Sequence, residues 1–109
     1  MAVTGRELVH PDLADVALTD VLFALSDPAR LHLVQLLADD GPQTVANCHL
    51  VDPRSPKSTF SHHLKTLREA GVIRNEPHGR QRMVTLRRAE IDARFPGLLA
   101  SVARAEHVS

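Results

Sequence analysis

A chain of 109 residues, 43% of them hydrophobic, is one domain, large enough to bury about two-thirds of its unfolded surface and small enough to gain from a second copy of itself. One cysteine, Cys48, excludes an internal disulfide, and no stretch has the length and apolarity of a signal peptide or membrane span, so a cytoplasmic protein with no membrane partner is expected. The formal net charge of zero hides a partition: residues 1–53 carry two bases against eight acids, and residues 54–109 carry eleven against five, which puts a polyanion-facing surface in the second half.

The first eleven residues lack periodicity and are expected to form a flexible arm ahead of a single domain over residues 12–109. Asp12 can cap a helix in which Leu18, Val21, Leu22 and Leu25 recur at i, i+3, i+4 and i+7, an apolar face that needs a partner. In Ser26-Asp27-Pro28, Asp27 offers an N-cap oxygen and Pro28 suits the first helical position, where its missing N–H costs nothing. That second helix runs through Leu31, Val34, Leu37 and Ala38 and stops at Asp39-Asp40-Gly41-Pro42. Gln43 to Leu50 predicts a short third helix, with Pro53 ending the run.

Ser55 and Pro56 read as N-cap and first residue of a fourth helix that Gly71 closes. At about 100° per residue, Phe60, Leu64 and Leu67 share the core face, and Ser58, His62, Lys65 and Glu69 share the opposite one, flanked by Ser61 and Thr66. By the same rotation His62 points outward, whereas His63 falls at the edge of the apolar face, a half-buried ring bonding to backbone or phosphate. Val72 and Ile73 begin a strand, Pro77-His78-Gly79 makes a turn, and Met83, Val84 and Leu86 return, with Arg74, Arg80 and Arg82 beside the turn. Residues 88–93 allow one or two helical turns, and Pro96-Gly97-Leu98-Leu99 opens a last helix carrying Val102.

The expected fold is mainly α with a small β-hairpin, in the order α-α-α-α-β-β-α, a winged helix-turn-helix. The fourth helix and hairpin together hold nine Lys/Arg against two acids over residues 54–88. A B-DNA major groove about 12 Å wide admits one helix, and arginines on a hairpin can reach a neighbouring minor groove.

Three runs in this order carry a family resemblance: Ala24-Leu25-Ser26-Asp27-Pro28-Ala29-Arg30-Leu31, then residues 61–73 from Ser61-His62-His63-Leu64 to Gly71-Val72-Ile73, then Gly79-Arg80. Over residues 12–104 the chain resembles the ArsR/SmtB family of bacterial winged-helix repressors, and most resembles its actinobacterial members. The resemblance implies a homodimer paired through the first and last helices, an inverted-repeat operator in double-stranded DNA, and a small effector that alters binding. Its recognition helix falls on Pro56 to Ala70, with Lys57, Ser58, Thr59, Ser61, His62 and Lys65 toward the groove, Ser55 and His63 beside them, and Arg80 and Arg82 on the wing.

Members of that family bind metals through paired cysteines or through Asp-x-His and His-x-x-His/Glu on the last helix, and this chain departs from both patterns. Cys48 and His49 stand alone in the third-helix region, and Arg94 follows Asp92 where a histidine would be needed. No cofactor is certain. The remaining candidate set for a divalent metal such as nickel, cobalt or zinc is His10, Glu106 and His107. A winged-helix module that binds a partner protein is the alternative function, and a protein corepressor is a further partner left open. The chain carries no HExxH helix, GxSxG elbow or Gly-rich phosphate loop, and Cys48 and His49 diverge on a helix, so no enzyme is expected.

Overall fold

The computed structural model describes residues 8–104. A single 3-10 turn, Leu13–Asp15, comes first, capped by Asp12, whose Oδ1 accepts from the Ala14 N–H at 2.9 Å. The helix expected to start at Asp12 is therefore broken. The chain is extended at Val16 and Ala17 before α1, Leu18–Leu25, begins without a side-chain cap. Leu13 and Val16 are buried, so the break serves to turn two apolar side chains into the core.

Helix α2, Pro28–Asp40, starts as the sequence predicts: Oδ1 of Asp27 accepts from the N–H groups of Ala29 and Arg30, and Gly41 ends the helix at φ 79°. Its buried stripe is Arg30, Leu33, Val34 and Leu37. Leu31 is only half-buried, so the stripe sits one residue earlier than the apolar pattern suggested, with an arginine in its first place.

Gln43–Thr44 form a short strand, β1, ahead of α3, Val45–His49. The sequence predicted helix from Gln43. Instead Thr44 is the N-cap, its hydroxyl accepting from the Asn47 N–H at 3.1 Å, and the two residues before the helix pair with a later strand.

Helix α4 spans Lys57–Glu69 and buries Phe60, Leu64 and Leu67, as the rotation argument requires. At its end the Gly71 N–H donates to the Arg68 carbonyl and the Val72 N–H to the Leu67 carbonyl, a Schellman closure with Gly71 at φ 79°. The strands β2, Ile73–His78, and β3, Gln81–Leu86, pair antiparallel, with His78 opposite Gln81. The turn is thus the two residues Gly79 and Arg80, and Pro77 lies in the strand opposite Arg82, not in the turn. Gly79 has φ 64°, and no non-glycine residue among those described, Arg80 included, has positive φ, the pattern of a II′ turn.

The sheet has the order β1-β3-β2, so β2 is an edge. Two helices follow, α5, Arg88–Arg94, and α6, Leu98–Arg104. One core joins Leu13, Val16, Val21, Leu33, Leu64, Leu67, Ile73, Val84, Ile91 and Leu99, residues from nearly every element. Gln35, buried in α2, donates to the Val102 carbonyl at 3.3 Å and ties α2 to α6. Among the described residues no single helix is long and apolar enough to cross a membrane, and α1 and α2 are bent against each other by 99°.

Candidate nucleic-acid interface

The pair α3 and α4 with the turn between them is a helix-turn-helix, and side chains fix its angle. The turn is wound by backbone bonds from Leu50 to Asn47, Val51 to Cys48, Asp52 to His49 and Ser55 to Asp52. His49 closes it: Nε2 donates to the Ser55 carbonyl at 2.9 Å, and the ring leans on Phe60 with centroids 4.8 Å apart. Ser55 is therefore part of the turn and not the helix cap expected from its sequence. Pro56 holds that place, and its carbonyl accepts from the Phe60 N–H.

Behind α4 lies Arg30. It is 6% exposed, and its Nε and Nη2 donate to the carbonyls of Ala24 and Phe23, the open C-terminal end of α1. Its Nη1 meets Nδ1 of His63 at 3.1 Å, and Nε2 of His63 is 3.9 Å from Asp27. His63, expected among the DNA-facing residues, is thus turned inward and only 13% of its side chain is exposed. It bonds to a side chain of α2 where the sequence suggested backbone or phosphate.

The other candidates on the recognition helix, Lys57, Ser58, Thr59, Ser61, His62 and Lys65, are all exposed. Arg80 is exposed in the hairpin turn. Arg82 is not free to leave the wing: Nε and Nη2 donate to Oδ1 and the backbone oxygen of Asn75, both at 2.8 Å. Sequence reasoning missed Arg30, although its place at i relative to Leu33, Val34 and Leu37 was a signal for a buried hub. It also missed Asn75, a polar residue 8% exposed inside a strand.

The basic charge is sorted by the fold. Arg74 and Arg87 both bind Glu90, at 3.1 and 2.7 Å, and the Arg87 and Arg74 guanidiniums hold the Glu90 carboxyl down at about 2. Arg68 donates to the Val9 carbonyl at 2.6 Å. On the turn, recognition helix and wing, Arg54, Lys57, Lys65 and Arg80 are exposed and form no ion pair with the described residues, and these four cations are left for an anion.

Of the three residues considered for a metal, Glu106 and His107 lie outside the described residues. Nε2 of His10 accepts a hydrogen bond from the Asn75 N–H at 3.0 Å, so its lone pair is already used, and burial together with Arg74 lowers its basicity. Residues 8–11, expected to belong to a flexible arm, are in fact hydrogen-bonded to the domain through Val9, His10 and Pro11. Cys48 is fully buried, and that burial pushes its thiol up to about 11. Among the described residues no three His, Cys, Asp or Glu side chains converge on a point where a metal could sit.

Comparison with known proteins agrees with this geometry. A helix-turn-helix domain model matches residues 25–76. The chain is 33% identical over 84 residues to an HTH-type transcriptional regulator of Bacillus subtilis, covering 72% of this chain and 79% of that protein. It is 36% identical over 61 residues to an HTH-type transcriptional regulator of Methanocaldococcus jannaschii, covering 55% of this chain and 66% of the relative, so it spans just under two thirds of that protein's length. Among solved structures, an ArsR family transcriptional regulator superposes with a TM-score of 0.61 at 28% identity, covering 70% of this chain and 81% of the other.

Proposed function

The chain belongs to the ArsR family of winged helix-turn-helix transcriptional regulators, and from that premise we propose that it is a cytoplasmic homodimer that binds an inverted-repeat operator and represses transcription. The observation that carries the DNA reading is the set of four unpaired cations, Arg54, Lys57, Lys65 and Arg80, on the turn, recognition helix and wing tip, beside the exposed Ser58, Ser61 and His62. The cations neutralise phosphates and give affinity. The hydroxyls and the imidazole reach base edges and give discrimination.

The dimer reading rests on α1. Leu18, Leu22 and Phe23 are 45%, 46% and 64% exposed, an apolar surface on α1 whose first residue, Leu18, lies beside the Phe95-Pro96-Gly97-Leu98 bend before α6. A two-fold axis through this face would present two recognition helices to half-sites about 34 Å apart, one turn of DNA. Where nickel, cobalt or zinc is the effector, a site built on His10, Glu106 and His107 must compete with the Asn75 N–H for His10.

Sedimentation and DNA binding of the Leu22→Glu variant test the reading together. The variant is expected to sediment as a monomer and to lose most of its DNA affinity while its helical signal is kept. A dimeric Leu22→Glu protein with full affinity would remove α1 from the interface.

A further inference from the structure

We propose that residues Val9, His10 and Pro11 form a strap that sets the wing in position for DNA, and that His10 is the positioning residue through which it acts; the proposal rests on the reading that the wing touches DNA. The strap is fixed at three points on three different parts of the reading head. Val9 accepts from Nη1 of Arg68 on the recognition helix at 2.6 Å. His10 accepts from the Asn75 N–H in β2 at 3.0 Å. Pro11 accepts from Nη1 of Arg87, just past β3, at 2.7 Å.

The wing needs such support. From Glu76 to Gln81 every residue is exposed, so the tip has no core beneath it. Pro77 within β2 has no N–H to give, and β2 is an edge with nothing beyond it in the sheet. Asn75 is the last buried residue before the tip. Its N–H is taken by His10, while its side-chain and backbone oxygens hold Arg82, opposite Pro77 and two residues from Arg80. A continuous line of hydrogen bonds therefore runs from the strap through Asn75 to Arg82 and the base of the turn that carries Arg80. Loss of the His10 acceptor leaves a part-buried N–H without a partner at the point where the tip is anchored.

The experiment is a double-mutant cycle on a duplex enriched by the wild-type protein from a random-sequence pool, with thermal melts to confirm folding. His10→Ala is expected to weaken binding about three- to tenfold, the usual worth of one hydrogen bond. His10→Gln, whose amide oxygen can accept from the same N–H, should restore it. In an Arg80→Ala background His10→Ala should add nothing, because the contact it positions is gone. Additive losses, or no loss from His10→Ala, overturn the proposal. If the wild-type protein enriches no duplex, the DNA reading itself fails, and amide exchange in the free protein decides the strap: faster exchange at Gln81 and Met83, the β3 amides that face β2, in His10→Ala, with α2 unchanged, supports it, and unchanged wing exchange refutes it.

Discussion

Nη1 of Arg30 lies 3.1 Å from Nδ1 of His63, and this contact joins the recognition helix to the helix behind it. A guanidinium only donates, so Nδ1 of His63 accepts and the ring carries its proton on Nε2, facing Asp27. The same arginine closes the end of α1 through the Ala24 and Phe23 carbonyls. One buried side chain thus fixes three helices relative to one another.

Arg30→Ala is expected to cost about 2 to 4 kcal/mol, since it strands the buried Ala24 carbonyl and an imidazole nitrogen, while the Phe23 carbonyl keeps the Ser26 N–H and hydroxyl as donors. For a domain of this size that lowers the melting temperature by roughly 10 °C or more. Arg30→Lys should recover less than half of the loss, because an ammonium cannot reproduce the fork. Calorimetry checks both, and a melting point within about 2 °C of wild type for Arg30→Ala would refute the hub role.

Gly71 and Gly79 both have positive φ, 79° and 64°, but their surroundings differ. A Cβ at Gly71 would meet Val16 at 3.1 Å and Leu13 at 3.2 Å, whereas one at Gly79 meets nothing within 4 Å. Gly79→Ala should cost only the backbone strain, about 1 kcal/mol, and Gly71→Ala about 2 to 3 kcal/mol because packing is disturbed as well. Urea denaturation of the two variants measures the difference, and equal costs would mean that the contact with Leu13 and Val16 is slack.

Much of this was legible in the sequence, for a definite reason. The face of α4, the Asp27-Pro28 start and the Gly71 stop follow from local rules of rotation and capping, which act within one or two turns of chain. What was not legible depends on tertiary partners. The break at Val16 exists because Leu13 and Val16 pack on Gly71, far along the chain, and β1 exists because Gln43 and Thr44 find Val84 and Met83. At the candidate interface the exposed residues of α4 were readable, whereas the inward turn of His63 and the capture of Arg82 by Asn75 were not. Each of those depends on a partner whose position only the fold defines.

Glu90 gives the acid limb of stability its shape. Its folded-state value, about 2, lies below the ordinary 4.5, so its contribution is complete above pH 4.5 and is lost as pH falls from there toward 2. Glu90→Gln should lower stability at pH 7 and flatten the decline over that window, because Arg87, 5% exposed, loses its carboxylate partner. Denaturant midpoints at pH 7, 4 and 3 test this, and parallel profiles for the two proteins would contradict it.

Cys48 behaves in the opposite sense. Its thiol is raised from 9.0 to about 11 by burial, so the neutral form favours the fold below pH 9 and that contribution is lost as pH rises toward 11. At pH 8 the native protein should react with a thiol reagent only as fast as it opens, and in urea at once. Rapid labelling of the folded protein would show that the site is not closed.

The most direct test of the central claim is the salt dependence of binding to the enriched duplex, followed by fluorescence anisotropy. Four unpaired cations on each of two protomers predict that log K falls against log salt with a slope of up to about −7, and Lys65→Ala should reduce the slope by about one for each Lys65 that meets a phosphate. A slope near zero, or one that Lys65→Ala leaves unchanged, would contradict the assignment of this face to DNA.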